Sequence, residues 1–567
     1  MSASDPESGA VGGMIPSDGT HKDGTAANGA ASDATAKGGP SRNKTARVVA
    51  SAVWVVGFAV VVKALGLVKD VVVASRFGTT AVMDAFLVAF TISTIIEHWL
   101  RWPIRAGFVP LFTEALEKRG EDEAWRAAGT FLGSFLVVMA LMALAAAAAA
   151  PWLVSAVAPG FGAEHQALTV GLVRIMLVSI VLLGGSGICT HLLHVHGNFA
   201  LPSAARPLNN LMLIAAALFL TSTHGIRGLA YGVVLASVVN AAVLWPAIWR
   251  LRGSMRLRID FTHPMFRGVM RLALPLLIGM AGAKLDDVID RIFASRLAEG
   301  SISGLVYALR LIDLPKEILV GAFSVVLFPL FARLAAKGQY DELGDKLIDS
   351  MRLAFFVLLP VSIGMALLGE PFVRLVFQRG AFDEQSVQHT VSALLLYTPT
   401  IWALGLTSIM IAAFVAIKDT KTPVIAGFVR LAFKIGLVFA LIGAFRHSGI
   451  ALATSVSHVF KLAIFLVVLP PVLKKGRYRR LFRAFGGTVL ATGVMAGALY
   501  LTIRGFAATV VSDSTGVRAV VLGGTALVGT AVYVGVARVV ARAELTETLR
   551  AVRDGFAEVG RGRRRST

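Results

Sequence analysis

The sequence predicts an all-α polytopic membrane protein of about 14 transmembrane helices: two six-helix lobes related by a parallel pseudo-two-fold repeat, plus two C-terminal helices. Three observations predict it. The 567 residues are 56% hydrophobic and 16% charged, with a mean hydropathy of +0.73, against about 25% charged residues in soluble domains. Polar or Pro/Gly breaks divide the chain into apolar runs of about 20 to 30 residues, enough for a helix to cross the hydrocarbon core. Short motifs also recur at a shared offset in the two halves.

Residues 1–45 are rich in Gly, Ala, Ser, Thr and Asp and contain no apolar run. They cannot bury enough surface to offset ordering entropy and are expected to form a disordered cytosolic tail. The pattern of a signal peptide is missing. Candidate spans then begin near residues 49, 81, 127, 168, 207, 227, 268, 303, 351, 388, 422, 449, 484 and 517.

The net charge of +21 lies mostly in short clusters between spans, which favours membrane loops over nucleic-acid binding. WRLRGSMRLRIDFTHPMFRGVMR (249–271) carries six arginines and KKGRYRRLFR (474–483) six Lys or Arg, whereas VSAVAPGFGAEHQ (154–166) carries none. The positive-inside rule puts the first two in the cytoplasm. An even number of spans then places both termini there, with 542–567 a basic cytosolic tail.

The repeat has an offset of 219 to 221 residues: ASRF (74–77) is echoed by ASRL (294–297), FVPLF (108–112) by LFPLF (327–331), and GNFALP (197–202) by KDTKTP (418–423). It divides the chain into an N-lobe, 46–265, and a C-lobe, 266–475, followed by spans 13 and 14 in 476–541. Parallel repeats of this kind place a substrate site between lobes that rock against each other.

Charges inside the apolar runs cost about 2.5 to 3.5 kcal/mol each on insertion scales, so they face the bundle interior or a wet cavity. Lys63 and Asp70, seven residues apart in VVKALGLVKD, share a helix face, while Lys69 points about a quarter-turn away. Asp84 lies in span 2, as do Glu97 and Arg101, spaced to pair. In span 7, Lys284, Asp287 and Arg291 form one stripe, Asp286 and Asp290 its neighbour. Span 8 sets Arg310, Asp313 and Glu317 around Pro315. Lys434 lies in the middle of span 11, with Arg430 expected to snorkel to the cytoplasmic interface. Two readings stand: the charges neutralise each other in buried pairs that fix helix register, or the cations of spans 1 and 8 cradle an anionic headgroup, for which phosphate and diphosphate are natural guests.

Catalytic signatures are missing: no Walker loop, Rossmann fingerprint or GxSxG elbow is present. The single cysteine, Cys189, allows no internal disulfide and reads as a packing residue. His191 and His194 share a face without a third ligand nearby in sequence. No enzyme, metal or cofactor is expected.

In its order of motifs, KALGLVKDVVVASRFGTTAVMDAFLVAF, AGFVPLFTEAL, HGNFALPSAARPLNNLMLI, VYALRLIDLPKEILVGAFSVVLFPLF, FQRGAFDEQSV and KDTKTPV, the chain resembles the MurJ (MviN) family from about residue 55 to 475. These are lipid II flippases of the multidrug/oligosaccharidyl-lipid/polysaccharide exporter superfamily. The resemblance implies a monomer in the bacterial inner membrane, acting in peptidoglycan biosynthesis and cell shape. A cationic cavity between V-shaped lobes would take the undecaprenyl-diphosphate-linked substrate, with the lipid tail in a groove by spans 13 and 14 and cell-wall synthesis proteins as partners. The family's first-span arginines fall on Lys63 and Lys69, its span-2 aspartate on Asp84, its span-8 arginine on Arg310, and Asp70 also matches. Asp70, Glu97, Arg101, Lys284, Asp287, Asp290, Arg291 and Lys434 are expected as supporting cavity charges.

The chain departs from the family pattern where lysine replaces arginine, which keeps the charge and loses the bidentate fork. It also departs at Glu97 and His98 in STIIEHWL, and at Lys434 and Val438, where sodium-binding relatives carry Asn or Asp. An ammonium there can stand in for the cation. Alternatives are a paralogous exporter of another lipid-linked glycan or a multidrug or metabolite antiporter. From other classes come a polyprenyl-substrate enzyme using Glu370, Asp383 and Glu384, or a non-transporting scaffold.

Overall fold

In lipid, a chain this apolar can satisfy its backbone polar groups only by coiling into helices or closing into a barrel. The computed structural model is helical, with no strand among the described residues. It describes residues 61–251, 255–280, 284–469, 475–509, 514–550 and 553, without the side chains of 99–105, 275–280, 318, 320–326, 475, 476 and 506–509. The expected tail, 1–45, and residues 49–60 of the first expected span lie outside the described residues.

The first copy of the repeat comprises α1 (61–77), α2 (Ala81–Arg119), α3 (Glu121–Val157), α4 (Ala163–Val195) and α5 (Ala200–Ala215), which runs through a π-helical turn, Ala216–Leu220, into α6 (Thr221–His224), and then α7 (Ile226–Leu251). The second comprises α8 (Pro264–Met280), α9 (Leu285–Ala294), α10 (Ser301–Ala336), α11 (Tyr340–Leu367), α12 (Gly369–Phe377), α13 (Glu384–Tyr397), α14 (Pro399–Ala416) and α15 (Lys421–Val468). After these come α16 (Lys475–Thr509), α17 (Thr515–Val540) and a short helix α18 (542–550).

Among the described residues, ten helical segments are long and apolar enough to cross a bilayer. α15 unites two of the expected spans across a break at Arg446.

The repeat recurs in the backbone, at offsets of 218 and 221 residues. Positive φ angles occur at Gly120 and Gly338, at Gly197 and Lys418, and at Gly225 and Arg446. The last pair is nearly superimposable, φ 56°, ψ −138° against φ 51°, ψ −133°. Beyond each break a glycine lies close against a carbonyl of the preceding helix: Gly228 against Leu220, Gly449 against Leu441. Packing repeats as well, with α4 lying on α2, α3 and α7 as α14 lies on α10, α11 and α15.

The motif FVPLF belongs to the core. Phe108 stacks on Phe131 at 4.9 Å, and Phe112 meets Trp125 edge-on at 5.8 Å. Phe112 and its repeat counterpart Phe331 are both fully buried. Such ring pairs contribute about 0.5–1.5 kcal/mol beyond area burial, which matters in lipid, where helices associate through packing rather than water exclusion. Cys189 is buried, as a packing residue should be.

α16 and α17 pack on each other and on α11. The Tyr533 hydroxyl donates to the Phe356 carbonyl at 2.6 Å. Within the expected basic tail, 542–567, α18 docks on the bundle, where buried Glu544 pairs with buried Arg352 of α11.

Candidate functional site

α1 and α10 run antiparallel, and their charges meet in register. Lys63 pairs with Glu317, and one helical stretch further along α1, Asp70 receives Lys69 at 2.9 Å and Arg310 Nε at 3.7 Å. Seven residues of helix separate the two rungs by about 10 Å. Lys63, Glu317 and Arg310 are exposed, whereas Lys69 and Asp70 are half-buried. Three cations of spans 1 and 8 thus meet two carboxylates in this conformation: Glu317 holds Lys63, and Asp70 is shared between Lys69 and Arg310. Asp313 pairs with Lys316 on its own helix.

Asp84 is placed elsewhere. Its buried carboxylate accepts the Gly300 amide at 2.9 Å and the Ser303 amide at 2.7 Å, capping the N-terminus of α10 from α2. Asp84, on which the family's span-2 aspartate falls, thus has both oxygens engaged by the helix end, where the dipole favours an anion, rather than by the cations of α1 and α10.

Around Asp84 the two copies close on each other reciprocally. The Ala381 amide donates to the Ser75 carbonyl at 2.8 Å, and Gly380 has no room for a side chain against that carbonyl. At the repeat-related place the Gly160 amide donates to Ser295 Oγ at 3.3 Å, and Gly160 abuts the Ser295 carbonyl. Each copy thus offers the serine of its ASR motif to the other copy's glycine, the self-complementary pattern of a two-fold contact. Thr79 adds bonds to Ser386 from its amide and between the hydroxyls, both at 3.0 Å.

The second polar group is buried. Asp286 of α9 pairs with Arg430 of α15, and the Lys434 ammonium lies 3.0 Å from Asp286 and 2.7 Å from Asp290. Lys434 has no exposed surface, and Arg430, also bonded to Ser457 at 3.4 Å, is buried. Arg430 therefore does not snorkel to the interface; the Asp286 carboxylate holds it inside the bundle. The ammonium sits between two carboxylates, as a bound cation would. On the neighbouring stripe Lys284 pairs with Asp287 at 3.1 Å, while buried Arg291 reaches Thr91 Oγ1 at 3.4 Å.

Glu97 is half-buried on α2; the pairing expected with Arg101 cannot be followed, because that side chain lies outside the described residues. A cavity of about 610 Å³ beside it is lined by His98, His191, His194, Arg206 and Asn209. The carboxylates weighed for an enzyme have structural partners. Arg374 is clamped by Glu370 at 2.8 Å and Glu384 at 2.6 Å. Asp383 caps α13 by accepting the Ser386 amide at 2.9 Å, a bond that holds its carboxyl below the ordinary value.

Comparison with known proteins bears on this arrangement. The family model described as lipid II flippase MurJ matches residues 73–517. A curated protein from Rhizobium meliloti, named probable lipid II flippase MurJ, is 29% identical over 504 residues, 86% of this chain and 93% of its own length. The lipid II flippase MurJ of Burkholderia cenocepacia is 28% identical over 483 residues, 82% of this chain and 90% of its own. Among solved structures, a lipid II flippase MurJ in an inward closed conformation is similar with a TM-score of 0.71 at 22% identity, covering 86% of this chain and 99% of its own. An inward-facing multidrug resistance MATE family transporter of the MOP superfamily has a TM-score of 0.61 at 15% identity, covering 72% and 95%. These two structural likenesses establish the fold.

Proposed function

The chain belongs to the MurJ family of lipid II flippases, and from that premise we propose that it carries lipid II, a polyprenyl-diphosphate-linked saccharide, from the cytoplasmic to the outer leaflet by alternating access. The lobes are 46–265 and 266–475, with spans 13 and 14 (476–541) flanking the lipid tail. The basic loops put both termini on the cytoplasmic side. The reciprocal contacts of Ser75 with Gly380 and Ala381 and of Ser295 with Gly160 are then the outer seal, and the opposite end admits the headgroup.

The observation that carries this reading is the ladder between α1 and α10. Its rung nearest the entrance, Lys63–Glu317, is exposed to water. An exposed ion pair is worth about 0–1 kcal/mol, so a diphosphate, which accepts several charge-assisted bonds, can displace Glu317 from Lys63. Arg310 and Lys69, which share one carboxylate, would complete the grip. Asp84 acts through the helix it caps and through the seal. Membrane potential or an ion gradient supplies the drive. Because Lys434 fills the place between Asp286 and Asp290, transport does not depend on sodium bound there.

Complementation of a strain depleted of its lipid II flippase tests the proposal. The unmodified chain should restore growth, and Lys63→Ala and Arg310→Ala should fail although inserted at normal levels. No rescue by the properly inserted unmodified chain would argue against lipid II as cargo. Rescue by both alanine variants would overturn the cavity assignment.

A further inference from the structure

The start of α16 is electrostatically anomalous. Its first turns carry Arg477, Arg479, Arg480 and Arg483 and no acid, although cations are disfavoured at the positive end of a helix dipole. Two of these arginines are compensated. Asp341, Asp345 and Asp349, spaced four apart on α11, face them: Arg477 reaches Asp345 at 3.0 Å, and Arg480 pairs with Asp349. Arg479 and Arg483, one turn apart, line a cavity of about 570 Å³ together with Arg542 at the start of α18. All three are exposed, and among the described residues none has a carboxylate partner.

The back wall of this cavity is rigid. Buried Arg352 donates through Nε and Nη2 to Glu544, the only acid lining the cavity among the described residues, and through Nη1 to Asp349 at 3.3 Å. The acid is thus already engaged, and the unmatched guanidinium groups surround a pre-formed recess. Exposed apolar side chains neighbour the lining residues along the chain: Phe482 next to Arg483, Val539 next to Val540, and Leu490 two turns beyond Arg483, each more than half exposed.

We propose that this recess binds the phosphate headgroup of an anionic glycerophospholipid of the cytoplasmic leaflet, at a site separate from the cargo cavity. Guanidinium forks match phosphate oxygens bidentately, the helix N-terminus adds an anion-favouring field, and the exposed apolar side chains receive the acyl chains. Basic recesses between membrane helices suit such headgroups. The phosphodiester and the chains are both needed, which separates this ligand from free phosphate.

The test uses the full-length protein purified in a neutral detergent, with the thermal unfolding midpoint followed during titration. The probes are short-chain phosphatidylglycerol, short-chain phosphatidylcholine and inorganic phosphate. Phosphatidylglycerol should raise the midpoint; the other two should need at least ten times the concentration for the same shift. Combined Arg479→Gln, Arg483→Gln and Arg542→Gln should weaken the phosphatidylglycerol response at least tenfold, the corresponding triple lysine variant should retain part of it, and Lys63→Ala should leave it unchanged. An undiminished response in the glutamine variant, or an equal response to phosphatidylcholine, overturns the site. An equal response to inorganic phosphate overturns the lipid assignment. Loss of the response in Lys63→Ala would place the lipid in the cargo cavity and overturn the separation of the two sites.

Discussion

The two copies of the repeat make the same helix crossing with different chemistry. In the first, α1 meets α5 at Gly66, where a side chain would touch Asn210, and the Asn210 amide donates to the Val62 carbonyl at 3.1 Å. At the corresponding place in the second, α9 meets α15 through Asp286, Asp290, Arg430 and Lys434. The neutral crossing leaves α1 free to present Lys63 and Asp70 to α10 of the other copy. The ionic crossing consumes every charge it contains and ties α9 in place. Duplicated backbone geometry has thus been divided into a binding half and an anchoring half.

Substitutions at the anchor should have the largest effect. Lys434→Met strands Asp286 and Asp290 with Arg430 as their remaining cation, and removing one partner of a buried pair costs about 3–5 kcal/mol. The thermal unfolding midpoint should drop accordingly, while Leu213→Met, at the matching place in the first copy, should shift it little. A midpoint unchanged in Lys434→Met would mean that the crossing is not an anchor.

Next comes Asp84→Ala, which removes the acceptor for two amides at the start of α10. The loss of a cap costs about 0.5–2 kcal/mol, and faster hydrogen exchange confined to the first turn of α10 should accompany it. A change of comparable size and opposite sign is expected for Arg446→Gly, which gives the second copy the residue the first has at this break. Strain of a non-glycine residue at positive φ is of order 1–3 kcal/mol, so the variant should unfold at higher temperature. Lys63→Ala should change stability least, within about 0.5 kcal/mol, and yet abolish rescue in the depletion strain. A large destabilisation there would make the α1–α10 ladder structural.

The positions of the helices were legible because lipid enforces a single solution on long apolar runs. The repeat was legible because its motifs are packing and turn elements: Phe112 and Phe331 fill equivalent core positions, and Ser75 and Ser295 bond back to Val72 and Ile292 in the same way. A helical wheel also grouped Lys63 with Asp70, and Asp286 with Asp290. It could not say which helix each face would meet. Glu317 as the partner of Lys63, the α10 amides as partners of Asp84, and Asp286 as the partner of Arg430 all arise from contacts between residues more than 140 positions apart, which leave no mark in local spacing. The docking of α18 was hidden for a similar reason: Glu544 gains meaning only once Arg352 is placed beside it.

The Ser75–Gly380 and Ser295–Gly160 contacts have a further consequence for the balance between states. They are neutral bonds at the ends of helices, with no salt bridge among them, and water can replace each bond as the contact parts. Among the described residues, the one charge that spans the same boundary is Asp84, whose carboxylate must pass from the α10 amides to water as the copies part, so Asp84 rather than these neutral bonds sets most of the free-energy gap between sealed and parted forms. A ligand can tip such an equilibrium only by its differential affinity for the two forms. With no salt bridge in these contacts, added salt should alter capture of the headgroup by Lys63 and Arg310 far more than it alters parting of the seal.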